Sequence, residues 1–449
     1  MRYNLDSMIK PPSSLEHTLA FDDAFVRMEY GREHLFVTGR AGTGKSTLLK
    51  YFREHTSKKI VVAAPTGVAA VAIGGQTIHS LFGFKPHVTV ASIRRLNPSW
   101  ERAQLFKHID ALVIDEISMV RADLVDCIDA FLRLNGPSSE RPFGGIQIIG
   151  FGDLYQLPPV VTDVERETFF SRYKTPYFFS ADACRMDRGF VLQGIELNKM
   201  YRQSDEDFRS ILNAIRVNAA EPHHWSKLNS RYEPYHATPR TQHYVHLTTT
   251  NARAQMINEQ HLAALEGKTY AVYGFREGSF DEHALPADET LLCKVGSQVM
   301  MVNNDPEKRW MNGTIGTISE IAPGETPDRP RIMVTLESGE LVDVRPYRWE
   351  MYEHEYDPHL RSVVAEVVGT YTQYPFKLAW AITIHKSQGK TFERMILDIG
   401  RGTFAHGQLY VALSRCRTLE GLVLRQKLLP EHVIVEPVVQ DFLATLHLS

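Results

Sequence analysis

Cysteine is scarce in this chain, and its placement limits the sites that the chain can form. Only four cysteines occur among 449 residues, and the sequence contains no CxxC pair. Widely separated single cysteines provide no zinc ligand set and are typical of a chain that folds in a reducing compartment. The four are Cys127, Cys184, Cys293 and Cys416.

The chain also lacks an excess of positive charge and a long apolar run. Fifty basic residues stand against 53 acidic ones, for a net charge of −3, so nucleic acid cannot be bound by bulk charge and would need a local positive groove. No apolar stretch approaches the ~20 residues of a membrane span. The N-terminal MRYNLDSMIKPPSS has no signal-peptide core. We therefore expect a cytoplasmic protein with no membrane partner.

The first half alternates strand-like and helix-like segments. Four runs rich in Val and Ile read as buried strands, at 34–39, 58–66, 109–116 and 144–153, and residues 121–133 carry one apolar helix face. Repetition of strand and helix predicts a parallel sheet covered on both faces. In such sheets ligands bind beyond the carboxyl ends of the strands, where acidic and glycine-rich residues occur here.

The second half reads as a similar domain interrupted by a β module. Residues 197–265 look helical apart from a strand at 243–250, and alternating strands follow, with ESGE as a hairpin turn. Parallel-sheet character returns at 378–389 and 395–400. The predicted divisions are a first domain over 1–192, a second domain over 193–289 and 366–449, and a β insert over 290–365.

GRAGTGKS (39–46) lies between the strand HLFVTG and the helix-like TLLKYFREH, which is the context of a phosphate-binding P-loop. Its glycines let backbone N–H groups turn toward phosphates, and a helix N-terminus adds positive potential. Lys45 should reach the β- and γ-phosphates of ATP, and the Ser46 hydroxyl should bind Mg²⁺. The nucleotide-contacting residues predicted here are Gly39, Ala41, Gly42, Thr43, Gly44, Lys45, Ser46 and Thr47.

LVIDE (112–116) ends an apolar strand with two carboxylates. Asp115 would hold Mg²⁺ through water, and Glu116 would polarise the water that attacks the γ-phosphate. Strands often end in acidic residues, but the P-loop some 70 residues upstream favours the catalytic interpretation. Two arginines, Arg202 and Arg415, could bring positive charge from the second domain, although spacing alone favours surface salt bridges for both.

Several motifs together resemble one helicase family. APTGVAAVAIGGQTIHSLF, DEISMVRADLVD, PFGGIQIIGFGDLYQLPPV and WAITIHKSQGKTF occur in this order, with the two arginine segments LNKMYRQSDEDF and LYVALSRCRTLEGL. The set resembles the petite-integration-frequency (Pif-one) helicases of superfamily one, over nearly all of residues 35 to 425. The resemblance implies two RecA-like P-loop NTPase domains, with a small SH3-like β-barrel in the second. It also implies an ATP-driven motor that moves 5′-to-3′ along single-stranded DNA and opens duplex, forked or G-quadruplex DNA.

The resemblance also assigns roles to residues. It implies that Gln156 senses the γ-phosphate, that Arg202 and Arg415 contact it from the second domain, and that Gln388 and Gly389 border the nucleotide. A wedge that separates strands is expected at residues 84–104. The residues expected to line nucleic acid are Pro65, Thr66, Gly67, His79, Phe84, Pro158, Thr383, His385, Lys386 and Ser387.

One position departs from the family pattern. Asp22 or Asp23 stands where the family carries the glutamine that recognises adenine upstream of the P-loop. A carboxylate cannot donate a hydrogen bond to a ring nitrogen, so a strict preference for ATP is not implied. Three alternatives stay open: a RecD-type subunit of a larger repair or conjugation machine, a nucleotide-gated DNA clamp, and an RNA motor. We expect a nucleoid-associated monomer that binds single strands and their junctions with duplex, with dimerisation on DNA as a further possibility.

Overall fold

The computed structural model describes the chain over residues 18–96, 98–199, 205–235, 243–326 and 329–446. Its first part, the first unit, is built on a six-stranded sheet in which all neighbouring strands are parallel, in the order β3-β2-β4-β5-β1-β6. The strands are β1 (His34–Gly39), β2 (Ile60–Ala64), β3 (Gln76–Thr77), β4 (Ala111–Ile114), β5 (Gln147–Phe151) and β6 (Leu192–Leu197). The four strands predicted from the sequence of this half of the chain are confirmed as β1, β2, β4 and β5.

The central strands are buried on both faces because side chains alternate between two apolar cores. Along β1, Phe36 joins one core while Leu35 and Val37 join the other. Helices cover both faces and complete these cores. They are α1 (Leu19–Tyr30), α2 (Lys45–His55), α3 (Gly67–Ala72), α4 (Ile78–Phe82), α5 (Val90–Ile93), α6 (Trp100–His108), α7 (Ala122–Asn135) and α8 (Asp163–Phe170). The predicted helix over 121–133 corresponds to α7.

The second unit contains a four-stranded parallel sheet, in the order β18-β7-β19-β20. Its strands are far apart in sequence because the antiparallel module intervenes. Its elements are α9 (Glu206–Arg216), α10 (Pro222–Asn229), β7 (Val245–Thr248), α11 (Asn251–Ala264), β18 (Ala381–Thr383), β19 (Met395–Asp398), α12 (Gln408–Leu413), β20 (Leu422–Leu424) and α13 (Pro437–Thr445). The parallel strands predicted near 243–250, 378–389 and 395–400 are confirmed.

The intervening β module consists of antiparallel sheets of five, three and two strands, in the orders β14-β13-β12-β11-β17, β15-β16-β9 and β10-β8. Val and Ile alternate inward along β13, and the hairpin predicted at ESGE joins β13 to β14. The strands are β8 (Tyr270–Tyr273), β9 (Phe275–Gly278), β10 (Thr290–Cys293), β11 (Gln298–Met301), β12 (Ile315–Thr326), β13 (Arg329–Leu336), β14 (Leu341–Val344), β15 (Tyr347–Asp357), β16 (Ser362–Gln373) and β17 (Phe376–Leu378).

The predicted bounds of the β module and of the first domain differ from the structure. The antiparallel strands begin at Tyr270 and end at Leu378, so the module is wider than 290–365 on both sides. Strand β6 pairs along its length with β1, so the first sheet extends past residue 192 to Leu197. Both differences arise because strand pairing between distant segments decides where a unit ends.

The β15–β16 hairpin reaches back to the first unit. The Arg102 guanidinium of α6 donates to the Glu353 carboxylate at 2.9 Å, and the rings of His108 and Tyr356 stack with centroids 3.8 Å apart. Residues 84–104, where the wedge is expected, contain α5 and the start of α6. The β module therefore lies against the part of the first unit that follows α4.

Candidate nucleotide and nucleic-acid sites

The loop between β1 and α2 has the backbone of a phosphate cradle. Gly42 and Gly44 have φ values of 82° and 92°, a left-handed conformation that glycine adopts without strain, and α2 begins directly afterwards. A Cβ at Gly39 would lie 2.6 Å from the Leu197 carbonyl oxygen, so this position too requires glycine. The Lys45 ammonium donates to the carbonyl oxygens of Gly39 at 2.6 Å and Arg40 at 3.1 Å. The loop thus brings a lysine and a helix N-terminus to one concave surface.

The remaining predicted loop residues divide between packing and exposure. Ser46 and Thr47 are exposed on the first turn of α2, where their hydroxyls are free to meet a ligand. Thr43 is buried and donates its hydroxyl to the Arg40 carbonyl at 3.0 Å. The Ala41 N–H donates to the Tyr410 hydroxyl at 3.3 Å, a contact from the second unit. Donors on a glycine-rich turn fit a nucleotide phosphate chain.

Asp115 and Glu116 follow β4 at the same edge of the sheet. Glu116 has φ 50°, a strained conformation for a non-glycine residue, and its N–H donates to Asp115 Oδ1 at 3.0 Å. Burial and, after it, the charge of Asp115 raise the pKa of the Glu116 carboxyl to about 7. Lys45 opposes that rise, Asp153 adds to it and Arg415 opposes it. The carboxylates therefore share one electrostatic environment with the P-loop lysine and an arginine of the second unit.

An ion pair at the end of β5 was missed by the sequence reasoning. Asp153 is fully buried, and Arg216 of α9 donates to its Oδ1 at 3.0 Å. Gln156 Nε2 donates to Asp153 Oδ2 at 3.2 Å, which fixes the side chain predicted to sense the γ-phosphate. Burial raises the pKa of Asp153, but Arg216 and Lys45 more than offset it, so the net pKa is lowered. A charged Asp153 thus joins the P-loop to α9.

Further contacts hold the second unit against this loop. His406 Nε2 lies 2.8 Å from the Leu154 carbonyl oxygen, and its Nδ1 accepts from the Glu436 N–H at 2.8 Å, so the neutral Nε2–H tautomer satisfies both. A Cβ at Gly407 would overlap the Tyr155 carbonyl oxygen, so only glycine allows this approach. The loop after β5 is therefore an interface between the two units.

The structure brings Arg415 to the nucleotide site. Arg415 is 1% exposed, and its Nε and Nη1 donate to the carbonyl oxygens of Val411 at 2.9 Å and Lys390 at 3.3 Å. Gln388 has a buried side-chain nitrogen without a hydrogen-bond partner, and Gly389, with φ 76°, follows it. Arg202, the other arginine predicted to contact the γ-phosphate, lies outside the described residues.

The residues predicted to line nucleic acid are partly accessible. Thr66 is exposed as the N-cap of α3, and Pro65, Gly67, His79 and Pro158 are half-buried. Burial lowers the pKa of His79, and the Asp123 charge opposes that shift, so the imidazole is neutral near pH 7.

In the second unit, Lys386 is exposed and His385 is half-buried. Thr383 is buried and accepts from the Lys386 N–H at 3.3 Å, and Ser387 is fully buried and donates to the Ile384 carbonyl at 2.7 Å. These two hydroxyls shape the turn that carries His385 and Lys386.

Phe84 requires a correction. Its ring is 6% exposed and packs on Phe82 and Phe131, with centroids 5.0 and 5.8 Å apart. A base needs an open ring face on which to stack, and this face is used by the core. Phe84 is therefore a core residue of the first unit rather than a surface for nucleic acid.

The fold and these contacts define a P-loop nucleoside triphosphatase whose nucleotide site lies between two parallel-sheet units. Within the described residues, no group of three or more His, Cys, Asp or Glu side chains could hold a metal ion, and no helix has the length and hydropathy of a membrane span.

Comparison with known proteins supplies the family. The model of the PIF1-like helicases matches residues 18–223. The ATP-dependent DNA helicase Pif1 of Bdellovibrio bacteriovorus is 32% identical over 91% of this chain and 88% of its own length. The mouse protein of the same name is 33% identical and longer, so the chain spans 61% of it. The chain belongs to the PIF1-like helicase family, and it is therefore an enzyme.

Solved structures agree with this family. A crystal structure of Bacteroides sp. Pif1 in complex with ADP-AlF4 matches with a TM-score of 0.87 at 36% identity, over 96% of this chain and 97% of that one. The Bacteroides Pif1 complex with ADP-AlF3 and single-stranded DNA matches over the same shares with a TM-score of 0.68, at 36% identity.

Proposed function

We propose that this chain is an ATP-dependent DNA helicase that moves 5′-to-3′ along single-stranded DNA and opens duplex, forked or G-quadruplex DNA ahead of it. In this proposal the two parallel-sheet units are RecA-like motor domains, and the β module contains an SH3-like barrel. The observation that carries the proposal is the joint construction of the nucleotide site. First-unit groups meet second-unit groups at Ala41–Tyr410 and Asp153–Arg216.

Such a site converts nucleotide state into relative movement of the two units. The loop N–H groups and Lys45 bind the phosphates, and Glu116 accepts a proton from the attacking water. Arg415 approaches from the second unit, where its charge opposes that of the transferred phosphoryl group. Mg²⁺ would be held by the Ser46 hydroxyl and the Asp115 carboxylate, and would neutralise phosphate charge there. Hydrolysis removes the group that draws the units together.

Translocation along DNA requires contacts, or grips, that hold the strand without depending on the identity of its bases. Thr66 on the first unit and Lys386 on the second are exposed donors suited to backbone phosphates. Each grip lies on a different unit, so opening and closing the cleft changes their separation. Alternate holding and release along one strand then gives translocation. Bacteroides Pif1, a structural relative, has been crystallised with single-stranded DNA.

The test combines ATPase rate, with and without a single-stranded oligonucleotide, and unwinding of duplexes tailed at the 5′ or 3′ end. We expect strong stimulation, opening of only the 5′-tailed duplex, and loss of both activities in Lys45→Ala. Opening from the 3′ tail would overturn the polarity. Stimulation without unwinding would favour a clamp or a RecD-type subunit, and stimulation by RNA alone would favour an RNA motor.

A further inference from the structure

Three lysines lie together beside the turn His385–Ser387, one from the β module and two from the second unit. Lys377 is the middle residue of β17, Lys386 is in the turn, and Lys390 follows it. Burial and, after it, the charge of Lys386 lower the pKa of Lys377 to about 8, and the charge of Asp288 opposes the shift. Burial also lowers the pKa of Lys390 to about 7, and the charge of Lys377 contributes. The charge of Lys377 is therefore close enough to be repelled by those of Lys386 and Lys390.

The cluster is held by a specific contact with the β module. Lys390 Nζ donates to the Asn312 side-chain oxygen at 2.7 Å, from the loop between β11 and β12. Gly313, with φ 102°, lies under the aliphatic stem of Lys390; a Cβ there would be 3.5 Å from that of Lys390. Asn312 is exposed, so the ammonium lies at the rim of the surface. Two elements distant in sequence thus converge on one amine.

The charge of Asp288 acts on Lys377, but the cluster has no carboxylate in direct contact among the described residues. In the part of the chain that the structure describes, none of these three lysines forms a salt bridge with a carboxylate. Cations that are partly buried without a partner are unfavourable, and the arrival of an anion removes that cost. Lysine ammonium groups and an amide suit the oxygens of a phosphate.

We propose that Lys377, Lys390 and Asn312 form a binding site for one backbone phosphate of the single strand, next to Lys386. This site rests on the proposed function, since the strand bound there is the single-stranded DNA along which the helicase moves. It reads no base, because its groups address only phosphate oxygens. A nucleotide phosphate has the same chemistry and is the other possible source.

The site lies one contact away from the nucleotide cleft. Arg415 Nη1 donates to the Lys390 carbonyl oxygen at 3.3 Å, and the charge of Arg415 acts on Glu116. A phosphate bound at the Lys390 side chain therefore acts on the backbone segment that supports this arginine. The contact gives a direct route by which bound DNA stimulates hydrolysis.

The site also makes DNA affinity depend on pH. The groups around Lys390 are the ammonium of Lys377, the neutral Asn312 amide and the Arg415 guanidinium at its carbonyl, while Lys386 and Asp288 act on Lys377. In the free protein Lys390 loses its proton near pH 7, and a bound phosphate raises its pKa again. Binding therefore takes up a proton, and affinity falls as pH rises above 7.

The experiment measures anisotropy of a fluorescent oligothymidylate, without nucleotide, from pH 6.5 to 9 and over a salt series. Lys390→Met should weaken binding at pH 6.5 about tenfold and reduce the salt slope by ~0.7. Lys390→Arg, which stays charged, should retain affinity and flatten the pH dependence. The exposed Lys268 provides the matched control, Lys268→Met, which should bind as the wild type does. Lys390→Met should not melt at a lower temperature than the wild type, because it removes an uncompensated charge.

The outcomes separate this site from the proposed function. Wild-type affinity, salt slope and pH profile in Lys390→Met would overturn the site while leaving the motor intact. An unchanged affinity for the oligonucleotide with a raised KM for ATP would assign the site to a nucleotide phosphate, which also overturns the proposal. Failure of the wild-type chain to bind the oligonucleotide would overturn the proposed function itself.

Discussion

The buried ion pair between Asp153 and Arg216 gives the sharpest prediction, because removing either partner leaves the other charge buried without its ion-pair partner. Asp153 is fully buried and Arg216 is 7% exposed. The guanidinium also lies 4.2 Å from the centre of the Tyr155 ring, and its Nε has no hydrogen-bond partner. We therefore consider Arg216→Met, which keeps much of the side-chain volume and removes the charge.

The expected cost is about 3 kcal/mol of unfolding free energy. Breaking a buried ion pair by removing one partner typically costs about 3–5 kcal/mol. The lower end applies here because Asp153 keeps the hydrogen bond from Gln156 and the attraction of Lys45. The unpaired Nε of Arg216 is deleted as well, which reduces the cost. Asp153→Asn should lose a similar amount, since it leaves the guanidinium buried.

The assay is a double-mutant cycle with two measurements on each protein. Denaturant unfolding gives the free energies, and the double variant Asp153→Asn/Arg216→Met should recover most of the loss, since no charge is left unpaired. ATPase stimulated by single-stranded DNA should fall in both single variants, because the pair joins the P-loop side of the cleft to α9. Arg209→Met on the same helix is the control, since its 3.6 Å pair with Glu206 is exposed and worth at most ~0.5 kcal/mol.

The sign of the pH dependence gives an independent check. The folded-state pKa of Asp153 is lowered, so the pair stabilises the fold above the unfolded value of ~3.9, and this stabilisation is lost as pH falls. The difference in unfolding free energy between Arg216→Met and the wild type should therefore become smaller as the pH is lowered. Additive losses in the cycle, with no coupling energy, would refute the pair as an energetic link between the units.

Three further predictions concern the cleft and the β module. Glu116→Gln should lower the ATPase rate by at least ~100-fold while retaining nucleotide binding, because general-base catalysis typically contributes that much; an unchanged turnover number would exclude Glu116 as the base. Tyr410→Phe should raise the KM for ATP several-fold, since the Ala41 N–H loses its acceptor, and an unaltered KM would show that this contact is not used. Burial lowers the pKa of His354 to about 4, so the folded state disfavours its charged form and stability should fall between pH 6.5 and 4. His354→Gln should melt with a weaker dependence on pH in that range; an identical dependence would contradict the assignment.

Local sequence predicted the parts of the site that are built locally. The strand β1, the glycine turn and the start of α2 are contiguous, so their pattern specifies both the cradle and its lysine. Asp115 and Glu116 could be placed for the same reason, since an apolar strand ends just before them. The parallel strands of both units were identifiable because burial on two faces demands continuous apolar runs.

Contacts between distant segments were not predictable in this way. Arg216 is the last residue of an amphipathic helix, a position at which an arginine is normally expected to face solvent. Its partner Asp153 is 63 residues away in sequence, so local patterns do not connect the two. The prediction that Phe84 contacts nucleic acid was wrong for a different reason. A family resemblance identifies the motif, but it does not say whether one ring within it faces solvent or the core. Short strands such as β8 and β9 have few buried residues, so the start of the β module was placed about 20 residues too late.

The interrupted second sheet has a consequence for synthesis of the chain. Strand β7 is central, with β18 on one side and β19 on the other, yet those neighbours are made more than 130 residues later. The first unit can close as soon as β6 leaves the ribosome. Strand β7 instead waits with both edges unpaired until β18 has been translated, and its β19 edge stays unpaired until residue 398. Unpaired edges invite pairing with other chains. Slow translation through the β module would therefore lower the yield of native protein, because the second unit alone would misfold. Truncated chains that end before β18 should aggregate, although their first unit stays folded.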